Sequence, residues 1–271
     1  MKRILIIVAG LRHGWTKKTA ETVTELLLKS GEFECDRITL REGQINPCKG
    51  CALCLERGED ACRFHDDEAR MILDKMLQAD GIVTVTPNYS LQVPVLLKTL
   101  YERLAFVFHR PRLFGKVSLA IVVQGVYGGK KIVKYIADLM SFWGCSTTKG
   151  AVVGGALYPN SKLSESVIEK NSAAVSKALD AFQEAVVHYR ERKPTFFRLA
   201  IFRMTRSSMK HSEEALPADK NYYSSMGWME SGYYIGIKIG IIKRIFGALV
   251  DRIIRSMIQK PGRRTKSQSA S

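Results

Sequence analysis

The fold is decided by residues 81–103, which read GIVTVTPNYSLQVPVLLKTLYER. The stretch opens with an uninterrupted apolar and β-branched run, Gly81 to Thr86, which predicts a buried strand. A polar loop containing two prolines follows, and a periodic apolar segment from about Val93 to Phe108 predicts a helix. A buried strand that leads into a helix is the repeating unit of a parallel α/β sheet.

The same alternation continues on both sides of this stretch. The pattern predicts strands at Arg3–Ala9, Glu34–Leu40, Gly81–Thr86, Val117–Val123 and Ser146–Val153. It predicts the intervening and final helices at Thr19–Ser30, Asp66–Gln78, Val93–Phe108, Lys130–Trp143 and Ser161–Glu191. Five strands separated by helices indicate an α/β fold, a doubly wound five-stranded parallel sheet.

The character of the chain changes at Pro194, which closes the last predicted helix. We therefore predict a domain at residues 1–194, with a cysteine-rich insertion at 46–65, and a basic extension at 195–271 that ends in a disordered tail. The extension holds 14 Lys and Arg against 5 Asp and Glu, more than half of the formal net charge of +16. Such an excess of positive charge favours binding to an anionic partner but gives no information about the fold.

The sequence predicts a cytoplasmic protein. The opening apolar run is too short for a leader and is interpreted as the first strand. Lys238, Lys243 and Arg244 interrupt the best candidate for a spanning segment. Four of the six cysteines crowd between positions 48 and 62, which in such a chain indicates metal or redox chemistry in a reducing compartment.

A phosphate site is predicted in the loop GLRHGWTKKTAE, residues 10–21, after the first strand. Arg12, Lys17, Lys18 and the N–H groups of a helix beginning at Thr19 would converge on an anion there. The loop matches neither GxGxxG nor GxxxxGK[ST], which disfavours dinucleotide and triphosphate cradles. The alternative is an ordinary strand-to-helix turn with exposed basic side chains.

Two further loops follow the third and fourth predicted strands, so all three loops lie at one edge of the sheet. They offer polar contacts, stackable rings and close backbone approach to a flat heteroaromatic cofactor. The residues concerned are Pro87, Asn88, Tyr89, Ser90, Gly125, Tyr127, Gly128 and Gly129. Each loop alone is of a common type. The prediction of a cofactor site rests on their placement after successive strands.

The cysteines Cys48, Cys51, Cys54 and Cys62 form CxxCxxC followed by seven residues and a fourth Cys. Three thiolates at this spacing with a later fourth are typical of 4Fe-4S ligation. Structural zinc and free thiols remain alternatives. Cys35 and Cys145 lie in apolar surroundings and are predicted to be buried.

Taken together, these motifs resemble the flavodoxin-like NADPH-dependent FMN reductases, and more closely their iron-sulfur flavoprotein branch. The resemblance covers roughly residues 1–190, including the segment NPCKGCALCLERGEDACRFHDDEARMIL. It implies that the first loop grips the phosphate of FMN, that the blocks Pro87–Leu91 and Gly125–Gly129 line the isoalloxazine ring, and that the chain forms a homo-oligomer. Leu11, His13 and Trp15 stand where the family loop is rich in Ser, Asn and Gly.

The predicted function is an FMN-dependent oxidoreductase that takes hydride from NAD(P)H and passes electrons to a small-molecule or protein acceptor, with a 4Fe-4S cluster as a further carrier. Because flavin supplies the redox chemistry, no catalytic side chain is predicted. The rivals are a ferredoxin-fed carrier without nicotinamide and a flavin-bound regulatory module. No nucleic-acid motif accompanies the basic tail, so no nucleic-acid partner is expected.

A basic amphipathic helix is predicted at residues 239–258. Apolar residues recur at positions 242, 245, 246, 249, 253 and 257, and the other side carries Lys243, Arg244, Arg252 and Arg255. The favoured interpretation packs the apolar stripe on the sheet domain or on a second subunit. The alternative is peripheral contact with the inner face of the membrane.

Overall fold

The computed structural model describes residues 1–10, 14–156, 161–213 and 215–259. By its contacts the chain divides into two units, one of Met1–Ala52 with Glu59–Glu191 and one of Leu53–Gly58 with Arg192–Ser271. The second unit thus takes part of the predicted insertion, because the short helix α2 (Leu53–Glu56) contacts α9 (Pro217–Ser225).

The first unit is built on a sheet whose pairings are all parallel. Its strands, within the described residues, are β1 (Lys2–Val8), β2 (Phe33–Thr39), β3 (Gly81–Pro87), β4 (Val117–Gln124), β5 (Ser146–Thr147) and β6 (Ala151–Gly154). Their order is β2-β1-β3-β4-β5, and β6 also pairs with β4. The predicted doubly wound parallel sheet is confirmed.

The predicted strand Ser146–Val153 is interrupted. Val117 pairs with Ser146, whereas Ile121 pairs with Ala151, so the second segment is offset by one residue. This offset is a bulge between β5 and β6. Gly150 makes it possible, since a Cβ at this position would lie 2.3 Å from the carbonyl oxygen of Ala120.

Helices cover both faces of this sheet. Those of the first unit are α1 (Trp15–Lys29), α3 (Glu68–Gln78), α4 (Val95–Arg103), α5 (Phe106–His109), α6 (Gly129–Phe142) and α7 (Glu165–Val187). α1 and α7 close one face over a core that includes Ile4, Ile6, Val83 and Ile121. α3 packs on β1 and α6 packs on β4 from the other side.

Three helix predictions need correction. α7 runs from Glu165 to Val187 and is shorter than the predicted helix Ser161–Glu191. α1 begins at Trp15 instead of Thr19, because the buried Thr16 extends the spacing of Ala20, Val23 and Leu27 by one turn. The predicted helix Val93–Phe108 divides into α4 and α5 at a tighter turn, where the Ala105 N–H donates to the Glu102 carbonyl.

The second unit contains α2, α8 (Phe196–His211), α9 and α10 (Ile241–Gln259) in its described part. Its centre is aromatic, with the ring of Tyr234 4.6 Å from Phe202 and 4.7 Å from Trp228, and Tyr223 also fully buried. The predicted helical extension is therefore present. None of the described helices combines the length and apolar character needed to cross a membrane.

Candidate functional site

The candidate site lies where the strand order reverses. β1 has β2 on one side and β3 on the other, so the loops after β1 and β3 lead away in different directions and leave a crevice at their carboxyl ends. The loop after β4 borders the same edge, because β4 pairs with β3 in parallel. The three loops chosen from the sequence therefore meet at one edge of the sheet.

The loop after β3 is a tight turn with an unusual backbone. Tyr89 and Gln92 exchange backbone hydrogen bonds of 3.0 and 2.9 Å. Between them, Ser90 and Leu91 both have positive φ, at 49° and 63°. This is the conformation of a type I′ turn, which normally uses Asn or Gly, so each of these residues holds some strain. Strained residues of this kind cluster at ligand sites.

The loop after β4 is fastened to that turn. The Asn88 amide Nδ2 donates to the Tyr127 carbonyl at 2.6 Å. Gly128 is left-handed, with φ 97°, and a Cβ there would meet the Leu91 side chain at 2.6 Å. Gln124 Oε1 accepts from the Gly129 N–H at 2.7 Å. The two loops thus form one braced surface, in which Gln124 is a contributor that the sequence reasoning missed.

This braced surface combines exposed apolar side chains with one buried polar atom that has no partner among the described residues. Tyr89, Leu91, Val126 and Tyr127 are between 47% and 71% exposed, and Gly125 is exposed beside them. Pro87 is buried as the last residue of β3. Asn88 Oδ1 is buried and has no hydrogen-bond partner among the described residues. A flat ring with an N–H at its edge would satisfy both features.

The first loop is only partly described, since Arg12 lies outside the described residues. Lys17 and Lys18 are exposed but stand in the first turns of α1, not in a loop, where Lys18 lies 4.6 Å over the Trp15 ring. The Thr19 hydroxyl donates to the Trp15 carbonyl at 2.7 Å, which occupies it within the helix. Thr19 therefore lies one turn beyond the helix end that it was predicted to form.

The N-terminus of α1 carries no side-chain cap from its Ncap residue, as far as the described residues show. Its cap residue Gly14 brings no side-chain hydrogen bond, and the first helical bond runs from the Lys18 N–H to the Gly14 carbonyl. The N–H groups of Trp15, Thr16 and Lys17 precede that bond and can bind an anion. Thr16, missed by the sequence reasoning, packs against Gly10, where a Cβ would come within 3.2 Å of its methyl group.

The four clustered cysteines have a different setting. Cys48 and Cys51 are exposed, and Cys54 and Cys62 are half-buried. In the part of the chain that the structure describes, no three His, Cys, Asp or Glu side chains are gathered as a metal site. The donor set still suits an iron-sulfur cluster, because all four ligands are thiols and the Gly50 N–H reaches Cys48 Sγ at 3.4 Å.

Buried arginines hold the ends of the cysteine segment. Arg103 of α4 donates to the carbonyls of Asn46 and Phe64, at 3.1 and 2.8 Å, to the carboxylate of Asp67, and to Cys62 Sγ at 3.5 Å. The Glu59 carboxylate accepts hydrogen bonds from Arg110 at 2.9 Å and from Arg112 at 2.7 Å. Arg103 is the more informative of these, since it joins the helix after the strained turn to the fourth cysteine.

The titration behaviour of this region follows from burial and from these ion pairs. Burial acts to raise the pKa of Glu59, but the hydrogen bond and charge of Arg112, with Arg110, lower it overall. Burial raises the pKa of Cys35 to about 11 and that of Cys145 to about 12. These two thiols therefore stay protonated at neutral pH and lie apart from the clustered four. Cys145 is buried, as the sequence predicted, whereas Cys35 is only half-buried.

The strand order and the three loops at the β1/β3 edge define a flavodoxin-like protein with a flavin-type crevice. The chain belongs to the NADPH-dependent FMN reductase family, whose model matches residues 2–157. It is thus an FMN-dependent oxidoreductase, and the resemblance inferred from the sequence is confirmed.

Individual relatives agree with this membership. An iron-sulfur flavoprotein of Archaeoglobus fulgidus is 27% identical over 230 residues, which are 84% of this chain and 100% of the relative. One from Methanosarcina thermophila is 34% identical over 43% of this chain and 61% of its own. The crystal structure of RosB with bound 8-demethyl-8-formylriboflavin-5′-phosphate aligns with TM-score 0.54 at 14% identity, over 99% and 96% of the two chains, which shows a shared fold.

Proposed function

We propose that the chain holds FMN in the crevice at the β1/β3 edge, reduces it with hydride from NAD(P)H and passes the electrons to an acceptor. The observation that carries this proposal is the braced pair of loops at residues 87–92 and 124–129. Its exposed apolar side chains and unpaired Asn88 Oδ1 match the two faces and the polar edge of an isoalloxazine ring.

Different residues of the site bind different parts of FMN. The free N–H groups at the start of α1 receive the phosphate, with Lys17 and Lys18 adding positive charge. The strained turn at Ser90 and Leu91 places backbone close to the ring, and Tyr127 shields it from water. Once bound, FMN supplies the hydride-accepting chemistry, so the protein needs to bind and orient without a side-chain acid or base.

We also propose that Cys48, Cys51, Cys54 and Cys62 ligate a 4Fe-4S cluster. The spacing of the four thiols supports this, and so do the names of the relatives, which are iron-sulfur flavoproteins. The Arg103 N–H directed at Cys62 Sγ is the kind of outer contact that adjusts a bound cluster. Assembly into a homo-oligomer and a cytoplasmic location remain predictions.

Anaerobic purification followed by mixing with each nicotinamide tests the main proposal. We expect a yellow protein that releases FMN on denaturation and whose flavin absorbance bleaches with NADPH or NADH. A protein that takes up FMN but is bleached by neither would instead favour the ferredoxin-fed carrier. Iron analysis tests the cluster separately, with about four irons per chain expected and none after Cys51→Ala, while FMN remains bound.

The phosphate role has its own test. Replacing Lys17 and Lys18 together with Ala is expected to weaken FMN binding more than riboflavin binding, because only FMN presents a phosphate to them. Lys170→Ala with Lys177→Ala removes the same charge from α7 and serves as the control. Equal losses for FMN and riboflavin would remove the phosphate role.

A further inference from the structure

The apolar stripe of α10 faces outward. Of the six predicted positions, Phe246 packs against Phe196 of α8, with ring centroids 5.2 Å apart. The other five side chains recur every three or four residues and so form one line along the helix. They are exposed by 75%, 66%, 53%, 49% and 68%, in the order Ile242, Ile245, Leu249, Ile253 and Met257. The line is roughly 22 Å long at the rise of an α-helix. So much exposed apolar area in one line is a mark of an interaction surface.

A different face of α10 holds the helix in its unit. Gly247 is buried against α8, where a Cβ would come within 3.0 Å of Arg203. Asp251 accepts from Arg203, Arg206 and Ser207 at 2.7, 2.6 and 2.7 Å. Within this unit α8 does not cover the five exposed side chains of the stripe, and packing of the stripe on the sheet domain or on a second subunit stays a prediction. α10 is thus fastened to α8 through Gly247 and Asp251, and the five side chains of its stripe stay exposed.

Positive charge borders the stripe. Arg244, Arg252 and Arg255 are exposed and lie on the flank of the helix between the stripe and the docked face. The single acidic residue of α10 is Asp251, whose carboxylate is already bonded to two arginines. The exposed surface of this helix is thus apolar and cationic, with no carboxylate to balance it.

We propose that α10 docks in the plane of an anionic lipid surface, with its stripe in the acyl boundary and the three arginines at the headgroup phosphates. An apolar line with a cationic border is the pattern of an interfacial helix. A second copy of the chain is the weaker occupant. Two such helices facing each other would bring their arginines together, and α10 offers no free carboxylate to compensate.

Flotation of the full chain with vesicles tests this docking. We expect the protein to float with an equal mixture of phosphatidylglycerol and phosphatidylcholine and to stay down with phosphatidylcholine alone. The triple change Arg244→Gln, Arg252→Gln and Arg255→Gln is expected to weaken partitioning about a hundredfold, from the contribution of each basic residue near an anionic surface. Lys162→Gln, Lys170→Gln and Lys177→Gln remove the same charge elsewhere and are expected to change partitioning far less.

A second variant isolates the stripe. Ile245→Ser, Leu249→Ser and Ile253→Ser alter exposed positions, so the fold should be kept, and circular dichroism with flavin content verifies it. We expect this variant to lose flotation, whereas Ile168→Ser on α7 keeps it. The proposal is overturned if wild-type protein does not float, if either triple variant of α10 floats as well as wild type, or if pure phosphatidylcholine serves equally. It is also overturned if light scattering shows that the serine variant only dissociates an oligomer.

Discussion

The loops proposed to bind flavin and the cysteine segment proposed to bind a cluster are built in opposite ways. The loops at 87–92 and 124–129 are braced by their own bonds, such as those of Asn88 and Gln124. The cysteine segment is held at Asn46, Glu59 and Phe64 but leaves Cys48 and Cys51 in solvent. Folding alone therefore braces the loops, whereas the four thiols of the cysteine segment would be gathered by the cluster proposed for them.

The largest effect is expected at the support of the cysteine segment. Arg103→Met removes the ion-pair partner of the Asp67 carboxylate, which is 6% exposed and among the described residues keeps only the N–H groups of Asn46 and Ala69 as donors, and it frees two carbonyls. Breaking a buried pair from one side typically costs about 3–5 kcal/mol of unfolding free energy. Urea denaturation of the apoprotein measures this loss.

Its control lies on the same helix. Lys98 pairs with Glu102 at 2.5 Å, but both side chains are nearly half exposed. Lys98→Met is therefore expected to cost less than about 1 kcal/mol. Similar losses for the Arg103 and Lys98 variants would show that Arg103 does not support the segment.

Thiol labelling compares the cysteines directly. The pKa of the Cys35 thiol is about 11. At pH 8 this thiol is several hundredfold less ionised than an ordinary thiol with a pKa of about 8.5. The burial of Cys145 protects it further. We expect iodoacetamide to modify Cys48 and Cys51 of the chelator-treated protein well before Cys35 and Cys145, as followed by peptide mass spectrometry.

Raising the pH sharpens that experiment. Because burial favours the protonated thiol, Cys35 gains reactivity only as the pH approaches 11, provided that the fold persists. Reconstitution with iron and sulfide is expected to protect the clustered cysteines and to leave Cys35 unchanged. Early labelling of Cys145 would mean that the core opens as readily as the segment.

A smaller effect is expected at the brace of the flavin loops. Asn88→Ala removes the bond to Tyr127 and the unpaired Oδ1, so FMN affinity is expected to fall roughly ten- to a hundredfold. Asn171→Ala is the matched control, because that amide clamps Gly154 by two bonds of 2.8 and 2.7 Å on another loop. Fluorescence titration measures both, and an equal loss of affinity would deny Asn88 a specific role.

The smallest effect concerns the strained turn. Ser90→Gly relieves the positive φ of 49° and is expected to raise the unfolding free energy by less than about 1 kcal/mol. Ser164→Gly, at an ordinary φ of −67°, is expected to lower it by chain entropy instead. If both variants lose stability in thermal unfolding, the turn is not strained.

Much of the fold was predictable because the strands Gly81–Pro87 and Val117–Gln124 are short runs rich in apolar and β-branched residues, which is a local property of the sequence. The bulge at Gly150 was not, since it depends on an approach to Ala120 from a distant strand. Nor was the outward face of α10, because Asp251 meets its arginines only after α8 and α10 pack.

For the site, the sequence predicted that the three loops share one edge of the sheet, because each of them follows a parallel strand. The glycines of the third loop could also be recognised from the sequence. The turn type at Ser90 and Leu91 was hidden, because neither residue prefers a positive φ. Thr16 escaped notice because a polar residue interrupted the apolar spacing that would have extended α1 to Trp15.

Because side chains alternate between the two faces of a strand, the number of residues in the short connection between β5 and β6 decides which face each side chain of β6 takes. Ala151 and Val153 point to the side of α1 and α7, whereas Val152 lies against Gly129 of α6. An insertion or deletion of one residue at 148–150 would exchange these faces and turn the last strand inside out. A change of two residues would preserve them, so tolerated length changes in this stretch would come in even numbers.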